Sequence, residues 1–325
     1  MPMPRTEPEI PLKLRPDQSD YSFDLDTALL SVIGVRSSVP ADAFTASALG
    51  TERDGSGVVI AGGLVLTMGY LVLEAETIWL TTARGGAVQG HALGVDAESG
   101  FAVVQPLGRL DAPALEFSTT QGPEVGSTAI LAAQGGMTRA IETHVVARQE
   151  FAGYWEYVLD DAIFTAPAHP FWGGAALIGQ DGRLLGVASL ILQQGDARGR
   201  RVDMNMIVPI ARLLPILDDL RTLGRVNRPP RPWLGIYAME DDDTIVVGGL
   251  ADGGPAEKAG LMVGDRVIAV GEEEIRELSA LWRRVWSAGD AGARVALRIG
   301  RLGAEMDIAV VSADRETFLR APMMH

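Results

Sequence analysis

From residue 25 to about residue 210 the chain is a succession of short apolar runs separated by glycine-rich turns, and this rhythm limits what it can fold into. "GVVIAGGLVLTM", "FAVVQPL", "STAILAAQ", "THVVARQ", "RLLGVASLIL" and "MNMIVPI" are the clearest of these runs. Each is too short for a core helix, rich in aliphatic residues and bounded by turn formers, which is the pattern of a strand. The 38 glycines and 18 prolines fit a turn-rich β protein better than a helical bundle. The expected fold class is therefore mainly β, as a sandwich or a pair of barrels; periodicity does not choose between them.

The rhythm changes at "PIARLLPILDDLRTLG" (209–224). Leu213, Leu214, Ile216, Leu217, Leu220 and Leu223 recur at three- and four-residue spacing, which predicts one amphipathic helix stopped by Gly224. The basic, proline-rich stretch 224–231 that follows reads as a linker, because its prolines stiffen the chain and disfavour helix. Residues 232–315 then mix "WLGIYA", "TIVVGGL", "DRVIAVG" and "ARVALRIGR" as strands with "GPAEKAG" and "ELSALWRRVWSAG" as helices, an α+β module. Residues 1–24 read as a flexible arm, 25–223 as the β domain and 316–325 as a tail.

Bulk properties exclude several functions. A net charge of −14 argues against nucleic-acid binding, which needs a cationic footprint. With no cysteine there is no disulfide, thiolate metal site or cysteine nucleophile, and no metal or cofactor is expected. No segment approaches a membrane span, and "MPMPRTEPEIPLKLRPDQSDYSFDL" holds no apolar stretch of signal-peptide length. By default this places the chain in the cytoplasm.

Specific motifs narrow the reading further. "GSGVVIAGGLVLTMGYLV" and "GVDAESGFAVVQPL" are laid out like the first-barrel hairpins of a trypsin-like domain, and "VGSTAILAAQGG" like the opening of the second barrel. "LPILDDLRTLGRVNRPPRPWLGI" and "GPAEKAGLMVGDRVIAVGEEEI" follow in order. Together, over roughly residues 50–315, these resemble the HtrA/Deg family of bacterial protein quality control. The resemblance implies a double β-barrel of trypsin type followed by one α+β PDZ domain, trimers built through the N-terminal segment near Tyr21 and Phe23, and a periplasmic location.

Acyl transfer by such a domain needs a hydroxyl nucleophile, an imidazole base, a carboxylate to orient the base and backbone donors for the oxyanion. On the family pattern the base position in "TMGYLV" is Tyr70, the orienting carboxylate position in "GFAVV" is Gly100, and the nucleophile position in "HPFWGG" is Trp172. Pro170 stands where an oxyanion N–H is required, and proline has none. The nearest serines, Ser127 and Ser189, fall inside predicted strands, as do His91 and His144; His325 ends the chain, and Asp96 has no neighbouring base. His169 reads as an exposed loop histidine, with a catalytic or ligand role as the alternative. Phe171 and Trp172 either plug the emptied cleft or mark drift after loss of chemistry.

The resemblance also implies that the PDZ domain captures protein or peptide C-termini. "WLGI" (Trp233, Leu234, Gly235, Ile236) stands as the carboxylate-binding loop, with Ile236 at the pocket floor. Leu281 and Val285, four apart on one helix, are either the groove's far wall or core. Arg231 either assists the carboxylate or is solvated. The acidic runs 240–244 and 271–274 and the basic loop 195–201 read as solvated turns. Three functions follow: an inert homologue acting by binding, an endopeptidase with an unconventional site, or a structural partner of an active paralogue.

Overall fold

A computed structural model describes residues 8–120, 122–195, 201–241 and 244–320. The described strands form two closed barrels and one open sheet. The first barrel runs in the order β1-β2-β3-β6-β5-β4, from Val32–Ser38 (β1), Glu52–Val59 (β2), Val65–Met68 (β3), Thr77–Thr81 (β4), Ala87–Val95 (β5) and Phe101–Pro106 (β6). The second runs β10-β11-β12-β9-β8-β7, from Thr128–Ala132 (β7), Ala140–Gly153 (β8), Tyr157–Ala166 (β9), Ala176–Ile178 (β10), Leu184–Gly195 (β11) and Arg201–Pro209 (β12). Closure answers the question that periodicity left open, and it leaves no unpaired strand edge. Each barrel has its own core, around Val35, Val65, Leu80 and Val104 in the first and Leu131, Ile141, Ile163 and Leu177 in the second.

Two short helices flank β1 in sequence, α1 (Leu25–Leu29) capped by Asp24 and α2 (Ala46–Leu49); α3 (Gly69–Val72) follows β3 directly. The helix expected over 209–224 is cut down to a 3-10 turn at Ile210–Arg212 and α4 (Leu217–Leu223). Pro215 explains the break, since it lacks an N–H and excludes helical geometry at the residue before it. Leu213, Ile216 and Leu220 still bury, while Leu214 and Leu223 stay exposed. Gly224 ends α4 at φ +74°, as a left-handed stop.

The described part of the expected arm, residues 8–24, is not a free arm. Ile10 and Leu14 pack on the second barrel's core, and the buried Tyr21 donates its hydroxyl to Glu142 at 3.1 Å. Tyr21 is thus engaged within its own chain.

Contacts divide the chain into two compact units: residues 1–149, 161–226 and 320–325, and residues 150–160 with 227–319. The second contains a six-stranded sheet of Ile236–Asp241 (β13), Thr244–Leu250 (β14), Arg266–Val270 (β15), Glu273–Glu274 (β16), Arg294–Arg301 (β17) and Ala304–Val311 (β18). In β17 the alternation is visible residue by residue: Val295, Leu297 and Ile299 are buried, and Arg294, Ala296 and Arg298 point outward. Pro255–Lys258 (α5) and Leu278–Trp286 (α6) accompany this sheet. In α6, Leu278, Leu281, Trp282 and Val285 form one buried stripe, with Arg283 and Arg284 on the other face. The same unit takes in the tip of the β8–β9 hairpin, residues 150–160, which a division along the sequence would assign to the second barrel.

Candidate functional site

In the barrel unit Tyr70, Gly100 and Trp172, the three positions expected for catalysis, lie near one another. Tyr70 sits on α3, and its ring lies 6.1 Å from that of Trp172. Its hydroxyl donates to the carbonyl of Ser189 at 3.1 Å, and burial pushes the phenol's pKa upward. A phenol ordinarily ionises near about 10, so a further rise removes it as a base at neutral pH. Gly100 has φ +79° and accepts at 2.7 Å from the N–H of Gly69, next to Tyr70 in sequence. Phe171 and Trp172 pack against the second barrel's core as partly buried rings.

The turn itself is held by His169, and here the structure corrects the sequence. His169 is fully buried instead of exposed. Its Nε2 donates to the carbonyl of Arg139 at 2.9 Å, and its Nδ1 accepts from the N–H of Phe171 at 2.9 Å. Asn205 clasps the same residue, taking its backbone N–H at 2.6 Å. Burial lowers the imidazole pKa to about 4, so the ring stays neutral with both nitrogens engaged. It is a structural pin. Arg139 also lies over the Phe171 ring at 3.7 Å, a cation–π contact. Pro170 is exposed and offers no donor.

The paired glycines after Trp172 have a packing reason. Ser56 of β2 donates its N–H to Gly173 O at 2.7 Å, and a Cβ on Gly174 would lie 1.9 Å from Ser56 O. Only a residue without a side chain lets the two barrels approach this closely. Among the remaining groups, Asp96 accepts from Ser99 N at 2.8 Å and Ser99 Oγ at 2.7 Å. His144 lies 3.3 Å from the hydroxyl of Thr128 on the barrel surface. Ser127 precedes β7 and donates to Glu124 O, and His91 lies in β5 as expected. No cluster of three His, Cys, Asp or Glu able to hold a metal occurs among the described residues. No described helix is long and apolar enough to cross a membrane.

In the second unit, residues 234–236 form a nest of backbone N–H groups. Gly235 takes φ +76°, which turns successive amides to one side. A carboxylate already lies in it. Glu156, at the hairpin tip, accepts from Leu234 N at 3.1 Å, Gly235 N at 2.7 Å and Ile236 N at 3.0 Å. Enclosure raises its pKa to about 7, even though the three N–H donors and the nearby Arg315 favour the charged form. Sequence reasoning missed Glu156; its one signal is an acid among aromatics in "YWEY", at a non-glycine residue with φ +60°.

The other expected binding residues divide between nest and core. Ile236, Leu281 and Val285 are fully buried in the core of this unit, and Trp233 stacks edge-on to Phe318 at 4.8 Å. Arg231 lies over the Trp286 ring at 4.6 Å, so the cation beside the nest is Arg315 instead. Of the acidic runs, Glu240 accepts from Leu278 N at the start of α6, while Glu273 and Glu274 are exposed. Positions 242–243 and 196–200, the heart of the expected basic loop, lie outside the described residues, as does His325.

Comparison with known proteins agrees with this architecture. The trypsin-like peptidase domain family matches residues 55–187 and the PDZ domain family residues 232–311. A probable periplasmic serine endoprotease, DegP-like, from Pseudomonas fluorescens is 25% identical over 272 residues, covering 78% of this chain and 55% of its own length. The serine protease Do-like HtrA of Bacillus subtilis is 23% identical over 323 residues, covering 89% and 71%. The chain thus spans little more than half the length of several curated relatives. Among solved structures, the HtrA-type protease AlgW with a tripeptide aligns at TM-score 0.52 and 20% identity, over 95% of this chain and 99% of that one. The serine endoprotease from Yersinia pestis aligns at TM-score 0.52 and 19% identity, over 90% and 98%.

Proposed function

This chain is a homologue of HtrA-type serine proteases, a trypsin-like peptidase fold joined to a PDZ domain, and from that premise we propose that it does not cleave peptides and acts by binding them. What supports the reading is that the family pattern puts Tyr70, Gly100 and Trp172 at the triad positions and Pro170 at the oxyanion position. An indole cannot attack a carbonyl. The phenol at the base position gives its proton to Ser189 O and has its pKa raised. A glycine orients nothing, and loss of one oxyanion donor alone typically costs about 100- to 1,000-fold in rate. Binding is assigned to the PDZ domain, whose backbone nest suits a carboxylate.

The test is covalent labelling of the full chain with a serine-directed fluorophosphonate, read by mass spectrometry. The expected result is no site-specific adduct. Reproducible modification of one serine would establish instead the endopeptidase reading, which the names of the relatives favour.

A further inference from the structure

The hairpin tip fills the nest with one backbone carbonyl and one side-chain carboxylate. Tyr154 O accepts from Ala238 N at 2.9 Å, while Glu156, two residues on, accepts from Ile236, two residues back. Residues 154–156 form a turn with Glu156 at φ +60°, so one backbone bond to β13 and one side-chain carboxylate stand where an added peptide strand and its terminal carboxylate would bind. From the opposite side, Trp282 of α6 donates its indole N–H to Gly153 O at 2.8 Å, and Ala152 and Val158 pack on the core that contains Leu281 and Val285. Arg283 closes the base of the hairpin by pairing with both Glu150 and Asp160. The turn thus meets β13 at Ala238 and Ile236, is held by α6 through Trp282, and presents a carboxylate to the nest. An extended peptide with a free C-terminus would use the same N–H groups.

We infer that Glu156 is a built-in competitor for the carboxylate nest, so that the hairpin 150–160 must withdraw before a C-terminal peptide can enter. The inference rests on the peptide-binding reading and adds its regulation. The nest accommodates one carboxylate: Glu156 already takes three successive N–H groups. Observed affinity for a peptide therefore equals intrinsic affinity multiplied by the fraction of molecules with the hairpin out. The structure also suggests the peptide's chemistry, an apolar segment with an aromatic residue two before its terminus, as at Tyr154.

The test uses the full chain and the fluorescein-labelled peptide Phe-Ala-Gly-Tyr-Trp-Val, with a free C-terminal carboxylate or as its amide. Wild type is compared with Glu156→Ala and with the more conservative Glu156→Gln. Amide hydrogen exchange at residues 234–236 reports whether the nest is occupied. The expected result is faster exchange there in both variants, with at least tenfold tighter binding of the acid to Glu156→Ala and no gain for the amide. Equal affinity of the acid for wild type and both variants overturns the competition and leaves peptide binding standing. Faster exchange with no binding of the acid to any form overturns the competition together with the peptide-binding reading. Unchanged exchange in both variants overturns the occupancy itself.

Discussion

His169 and Glu156 show how enclosure sets the behaviour of single groups, with opposite pH signs. His169 has its pKa lowered from 6.5 to about 4 by burial, so the folded chain binds fewer protons than the unfolded one. Its contribution is complete above about 6.5 and is lost as pH falls toward about 4, a range worth about 3 kcal/mol. Chemical denaturation at stepped pH should show this acid-side loss, and His169→Gln should flatten it. Glu156 is raised from 4.5 to about 7, so its contribution is complete below 4.5 and fades as pH rises through about 7. The charged and titratable groups around it are Arg315, Tyr237, Tyr154 and Asp252. Amide exchange at the nest should therefore quicken from about pH 5 to about pH 8 in wild type beyond the intrinsic rate change, and not in Glu156→Gln. Gly174 makes a third case: Gly174→Ala would meet Ser56 O at a φ of +75°. A loss of about 3 kcal/mol or more is expected, read as a lowered melting temperature.

At the level of elements, the turn 169–174 and the β8–β9 hairpin are each held by contacts from a distant part of the chain. The turn keeps its glycines because β2 packs on them, while its side chains have become a small apolar and aromatic cluster of Tyr70, Phe171 and Trp172 pinned by His169. On the proposed reading, restoring one group does not restore hydrolysis. Trp172→Ser is expected to yield no peptide hydrolysis above background, measured with a fluorogenic casein, because Tyr70, Gly100 and Pro170 remain. The hairpin is bound to α6 by the Trp282 indole, so Trp282→Phe should loosen it at a cost of about 1 kcal/mol for the lost hydrogen bond. Faster exchange at Gly153 and its neighbours is the readout.

Across the whole molecule, the two contact units have separate cores, and damage to one should stay in it. Leu281→Ala, which empties part of the sheet-and-helix core, is expected to cost about 2–5 kcal/mol there. Hydrogen exchange should then rise over residues 232–311 while the barrel cores around Leu80 and Leu131 keep their protection. The strand runs, the α6 stripe and the glycine stop after α4 were all legible in the sequence, because each depends on near neighbours along the chain. The break in the helix expected over 209–224 was not, because apolar spacing outweighed Pro215, which interrupts it.

By itself, the sequence determined the mainly β fold and the separate α+β module, since periodicity and motif order are local properties. Only the tertiary structure decided that His169 is buried with both ring nitrogens engaged, that residues 8–24 lie against the second barrel, and that Glu156 occupies the nest at 234–236. Those contacts join segments distant in sequence, such as Glu156 and Gly235. No local spacing encodes a carboxylate meeting three amides that far along the chain.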